Sequence, residues 1–342
     1  MRHLLNDARI ISCVLISCLL VLTLTLAQTL YEASLFMDEP AGLRLNFSLI
    51  SINLSSSYWR LFLACCLNTL CLGSVSIVLS TILAVIIAMM RESKVELIST
   101  TARLYVTVFR NLPLLGVILS TYFLLLYALP DPKAAVDVFT INKRYMLIPV
   151  TYVGDSLLKL FFVASCFVAA YLYNRACSKR LNWYAIVLIA AVLWIVAGAK
   201  AQSYRLPLEL SAMILALMLH SSSYIAEIIR SGFRGINPMQ HLSALSLGLS
   251  QRQSLCYVCF PQVMIRIMPP LISQYANIIK NASLGAVIGY PDIIAIFSGT
   301  VVNQTGNVKE IIILICLFYG LVNVIMSQLL SLCSKSAYEK NS

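Results

Sequence analysis

Long apolar runs with at most one charge each, separated by short polar segments, set the pattern of this 342-residue chain. They fall at Ile10–Tyr31, Leu61–Met90, about 113–129, Ser156–Asn174, Leu181–Ala199, Leu208–Ala226, about Ile267–Ile288 and Ile311–Cys333. A helix needs about 20 apolar residues to cross the hydrocarbon of a bilayer, so the pattern predicts about eight transmembrane helices. The first run is longer than the roughly 7–15 apolar residues of a signal peptide and is read as a retained span. Residues 32–59, with Glu32, Asp38 and Glu39, are polar and slightly acidic. The third run is opened by Arg110-Asn111-Leu112-Pro113-Leu114, where a proline in the first helical turn costs little.

One polar interval differs from the rest. Beyond Leu208–Ala226, Glu227 begins a loop of about 40 residues with Arg230, Arg234, Arg252 and Arg266 and no further acid. Leu242–Gly248 reads as a short helix ended by glycine, which accepts the left-handed conformation. Val258-Cys259-Phe260-Pro261 follows, with Pro261 marking the start of the next helix. Pro269-Pro270 reads as a helix start or a hinge. Helix, glycine turn, helix, proline, membrane is the layout of a rigid elbow offered to a soluble partner.

Composition turns the pattern into a class. Sixty percent of residues are hydrophobic and 11% charged, against about a quarter charged in soluble domains. The chain is therefore an all-α, polytopic membrane helix bundle. Its net charge of +11 comes from residues scattered through short loops, without the aromatic interleaving of a nucleic-acid platform. On the map above, 15 Lys and Arg fall on one side and eight on the other. By the positive-inside rule, the elbow and both termini are cytoplasmic.

Candidate chemistry is sparse. There is no GxxxxGK[ST] phosphate loop, no GxGxxG and no HExxH, so neither an enzyme nor a cofactor or metal site is expected. Most of the 11 cysteines lie in apolar runs and act as small apolar residues. Cys256-x-x-Cys259 has redox spacing without a redox context. His241 reads as a solvated loop residue, and His220 as an interhelical hydrogen-bonding group. Lys280 lies 14 residues beyond Arg266, about 21 Å along a helix, where a charge is costly. Asn277, Lys280 and Ser283 share a face by their spacing of three, and Asn281 adds to the polar side. The face fits either a translocation pathway or a structural lysine paired at a subunit interface.

The elbow resembles the "EAA" loop of bacterial ABC-importer permeases. Ser243, Ala244, Gly248, Val258, Phe260 and Pro261 fall at the family's places, and Leu242 stands where the family has glutamate. The flanks Tyr224–Arg230, Pro269–Tyr275, Lys280-Asn281 and Gly289-Tyr290-Pro291-Asp292, with Asn68-Thr69-Leu70 and Arg110–Leu114 upstream, resemble the polar-amino-acid (HisMQ) branch. An N-terminal extension and an insert resemble the Q-type subunit of the general L-amino acid permease. The resemblance implies a type I importer permease core over residues 61–335, with an insert at about 130–205 and a coupling loop at 227–262. Residues 1–60 would supply an N-terminal helix and an extracytoplasmic segment. It further implies amino-acid transport across a bacterial inner membrane, a cytoplasmic ABC ATPase, a periplasmic amino-acid-binding protein and a second homologous permease, all set in membrane lipid. A stand-alone ion-coupled carrier is the competing reading. It would need an inverted repeat and midplane acids, and the runs show neither clearly.

Overall fold

The computed structural model describes residues 27–130, 142–151 and 201–339, together with Thr23 and Thr25. The expected spans at Ser156–Asn174 and Leu181–Ala199, and most of the first, lie outside the described residues. Two compact units are formed, one by residues 126–208 and the other by the rest of the chain.

The larger unit is helical. Helix α1, residues 27–37, continues past the uncharged run and buries Ala33 and Met37. Helix α2, Tyr58–Arg91, starts at Ser57, whose hydroxyl accepts from the Arg60 amide. It is apolar all round, as a membrane helix should be. The polar segment after it is itself a helix, α3 (Glu96–Asn111), amphipathic and followed by α4 (Leu114–Ala128). The two are bent by 108°. Leu112 is forced into an extended conformation by Pro113, whose ring crowds the residue before it. That break makes α3 and α4 a single bent element.

Helix α5, Leu208–Arg234, runs beyond its apolar run by two turns. Helix α6, Pro238–Ser246, is capped by Asn237. Helix α7, Gln251–Ile288, is continuous but changes pitch: a π turn at Leu255–Cys259, α-helix over Phe260–Asn281, and a 3₁₀ end at Ala282–Ile288. A second π stretch, Ile294–Val301, and a short turn, Val302–Thr305, lead to α8, Val308–Glu339. Among the described residues, four helices are long and apolar enough to span, and five if the α3–α4 pair counts as one.

Two apolar clusters hold this unit together. Near one end, Ala33, Met37, Tyr58, Leu61, Phe297 and Ile311 join α1, α2, the second π stretch and α8. Near the elbow, Ala84, Ala102, Val106, Ile225, Val263 and Ile267 join α2, α3, α5 and α7. Gly232 permits the second contact: a Cβ there would overlap the Ile267 side chain.

The smaller unit carries a feature that periodicity did not announce. Tyr145–Thr151 (β1) and Ala201–Pro207 (β2) pair antiparallel, from Tyr145 opposite Pro207 to Thr151 opposite Ala201. Asn142 leads into β1, its Oδ1 accepting from the amides of Arg144 (3.0 Å) and Tyr145 (2.9 Å).

Candidate functional site

The elbow is held rigid by local chemistry. Asn237 accepts from the Met239 amide and Pro238 occupies the first turn of α6, so the helix begins one turn earlier than the sequence suggested. It ends at Gly248, with φ +84°, where the Leu249 amide reaches back to the Ala244 carbonyl. Ser250 and Gln253 then form a reciprocal capping box that starts α7.

Pro261 does not start that helix. It lies ten residues inside it, directly after the π turn. In a regular helix its ring would crowd the Tyr257 carbonyl; the wider turn, closed by the Phe260 amide on the Leu255 carbonyl, makes room. Pro269 and Pro270 also lie within α7 and not at a helix start.

Three bonds fasten the elbow to itself. His241 Nδ1 and Ser254 Oγ are 2.8 Å apart, Gln262 Nε2 donates to Gln240 Oε1 at 3.3 Å, and Arg266 donates to the Gly235 carbonyl. His241 is thus a half-buried tie between α6 and α7, not a solvated residue.

The candidate coupling residues divide by exposure. Ala244 is buried and Val258 and Pro261 are half-buried, while Leu242, Ser243, Gly248 and Phe260 are exposed. Leu242 and Phe260, with Met239, Leu247 and Tyr257, give the elbow several exposed apolar side chains beside its polar surface. Cys256 is exposed and Cys259 buried.

Behind the elbow lies an ion-pair clasp. Glu227, near the end of α5, pairs directly with Arg91 at the end of α2 and lies 3.9 Å from Arg110 and 3.8 Å from Arg230. Glu92 pairs with Arg230 at 2.9 Å and Arg234 at 3.3 Å. The Arg230 hydrogen bond, reinforced by Arg234, holds the Glu92 carboxyl below its ordinary range. Helices α2, α3 and α5 are thereby joined at one level, and α5 leads straight into the elbow. The charges were visible in the sequence; their pairing was not. Glu92 and Glu227, acids at the ends of apolar runs among arginines, were the available signal.

The candidate pathway residues lie towards the opposite end of α7. Asn277 and Lys280 are exposed, and Asn281 and Ser283 half-buried. Ser283 Oγ donates to the Lys280 carbonyl at 2.6 Å. The elbow and this polar face thus belong to one helix, which connects them mechanically. On the other side of α7 a cleft of about 850 Å³ is lined by Thr81, Val85, Phe233, Phe260, Met264 and Tyr275, among others. His220 is buried beside Tyr224, and its Nδ1 has no hydrogen-bond partner.

Beyond α7, the Gly289-Tyr290-Pro291-Asp292 turn is locked to α2. Asn68 Nδ2 donates to the carbonyls of Pro291 (2.9 Å) and Phe47 (3.1 Å), and Thr69 Oγ1 accepts from the Ile293 amide at 3.3 Å.

The chain is similar to known proteins in fold and in sequence. The fold is similar to the solved structure of an amino acid ABC transporter with histidines, at a TM-score of 0.55 and 22% identity, covering 82% of this chain and 95% of that one. The likeness places the helical core in the type I importer permease fold. A relative from Escherichia coli (strain K12), YhdX, named for an amino-acid ABC transporter permease, is 34% identical over 329 residues, 88% of this chain and 84% of its own. The general L-amino acid transport system permease protein AapQ of Rhizobium johnstonii is 33% identical over 328 residues, 87% of this chain and 80% of its own. Residues 76–339 match the model of the binding-protein-dependent transport system inner membrane component. The chain belongs to that family of multi-pass inner-membrane transport components.

Proposed function

We propose that this chain is a permease subunit of an ATP-driven importer of amino acids, polar or general L-amino acids, working with a separate cytoplasmic ATPase and a periplasmic binding protein. Family membership across residues 76–339 carries the transport reading, and the names of YhdX and AapQ support the substrate class. The elbow supports the division of labour. The chain has no phosphate loop of its own, and it offers Leu242, Ser243, Gly248 and Phe260 on a rigid, bonded surface.

The elbow faces the cytoplasm in this reading, with both termini on the same side, as the Lys/Arg bias requires. ATP-driven closure of the ATPase pushes on α6, and α7 carries the displacement to Asn277, Lys280, Asn281 and Ser283. Those residues line the route of the amino acid, with Lys280 available to a carboxylate. The residues at about 130–205 are an insert in the permease core, and residues 1–60 an added N-terminal segment. A second homologous permease completes the route.

The test is purification of the tagged chain from mildly solubilised native membranes, with mass spectrometry of what accompanies it. An ATPase and a second permease in the eluate, followed by amino-acid uptake that requires ATP, support the reading. Recovery of the chain alone, even after crosslinking, sinks it and favours an ion-coupled carrier.

A further inference from the structure

A small polar cavity of about 350 Å³ opens beside the clasp, lined by Arg91, Val106, Thr107, Arg110, Asn111, Tyr224 and Glu227. Two guanidiniums face one carboxylate there, and that carboxylate is also shared with Arg230 at 3.8 Å. The Arg91 side chain is only 10% exposed, and its Nε–H has no hydrogen-bond partner although Nη1 is paired with Glu227. A buried N–H on a cation, left without an acceptor beside an open polar cavity, calls for an oxyanion. Arg110 stacks over the Tyr224 ring at 5.4 Å, which positions its guanidinium at the cavity.

The depth of the cavity indicates the source. Arg91 closes the apolar run of α2, and Glu227 follows that of α5, so both stand where hydrocarbon gives way to headgroups. On α3 an exposed apolar strip leads up to the lining residue Asn111: Leu104 and Val108 share its helix face by spacing, and both are exposed. Acyl chains would lie against that strip while a phosphate entered the cavity.

We propose that this cavity binds the phosphate of an anionic phospholipid, seated on Arg91 and Arg110 with Thr107 and Asn111 beside it. The site braces α2, α3 and α5 behind the elbow and makes the permease sensitive to lipid charge. It uses the clasp and not the proposed pathway residues, so it holds for any transported solute.

The test places the purified transporter, with its partner subunits, in nanodiscs of phosphatidylcholine with or without phosphatidylglycerol. Unfolding temperature is followed in each. The expected result is a rise with phosphatidylglycerol that is lost in Arg110→Gln and in Thr107→Leu. The second variant fills the cavity without changing charge, and it decides the matter if Arg110→Gln fails to assemble. Arg103→Gln should keep the rise, because Arg103 bonds Thr100 and Ser99 on its own helix and does not line the cavity. Inorganic phosphate added to phosphatidylcholine discs should give no rise; an equal rise there would overturn the lipid as the source. Retention of the rise in Thr107→Leu, or equal loss in Arg103→Gln, would overturn the site itself.

Discussion

The Tyr290 hydroxyl donates to the main-chain carbonyl of Asn68 at 3.0 Å, across 222 positions of sequence. Both residues are fully buried, and the Asn68 side chain makes three further bonds, to Phe47, Leu49 and Pro291. The turn after α7 is therefore fixed to α2 by groups with no water to replace a lost partner. Tyr290→Phe should cost about 0.5–1.5 kcal/mol, the net worth of one hydrogen bond, because the Asn68 carbonyl keeps its partner within α2. Asn68→Ala, which strands two carbonyls and an amide, should cost more. Thermal unfolding of the detergent-solubilised transporter measures both, and equal stability of Asn68→Ala and the parent would refute the account.

The clasp gives a graded expectation. Glu227→Gln leaves the Arg91 guanidinium, nearly enclosed, without a counter-charge. The loss should be substantial but below the roughly 3–5 kcal/mol of a fully buried pair, because Glu227 is 32% exposed. Glu92→Gln should cost less than about 1 kcal/mol, since Glu92 is 55% exposed. The order of the two unfolding temperatures is the check.

Gly248 separates backbone strain from packing. A Cβ there would meet nothing within 4 Å, yet its φ is +84°. Gly248→Val should therefore destabilise only the elbow, by about 1–2 kcal/mol. The expected signature is a permease that still inserts and folds but recovers less ATPase on co-purification.

Asp292 sets a dependence on pH. Burial pushes its carboxyl up to about 7; Oδ1 accepts from the Ala295 amide at 2.7 Å, while Oδ2 has no partner. The unfolded carboxyl ionises near 3.8, so the folded state binds the extra proton between that value and about 7. Stability should fall as pH rises through this window and level off above it. Asp292→Asn should flatten the slope, read as unfolding temperature against pH; an unchanged slope would assign the dependence elsewhere.

Lys280→Met tests the route proposed along α7. Lys280 is exposed on the polar face, so removing its charge should spare assembly and abolish uptake of the amino acid. Loss of assembly instead would make Lys280 an interface residue.

The sequence by itself determined the class of this protein. Within hydrocarbon only helices and closed barrels bond their own backbone, and apolar runs of about 20 residues have the length of spanning helices. Gly248, followed by Ser250 as a cap for the next helix, reads as the end of the elbow helix, and its φ of +84° makes it one. Those are local consequences of residue type, so periodicity and turn chemistry expose them. What only the tertiary structure decided are the relationships between distant residues. Arg91 and Glu227 are 136 positions apart, and nothing local says which arginine an acid will choose. The prolines of α7 looked like boundaries because their local cost is real, but packing of Val263, Ile267 and Leu271 against α2, α3 and α5 keeps the helix continuous. The pairing of Tyr145–Thr151 with Ala201–Pro207 is of the same kind: strands are completed by hydrogen bonds to a partner, and the partner is remote in sequence.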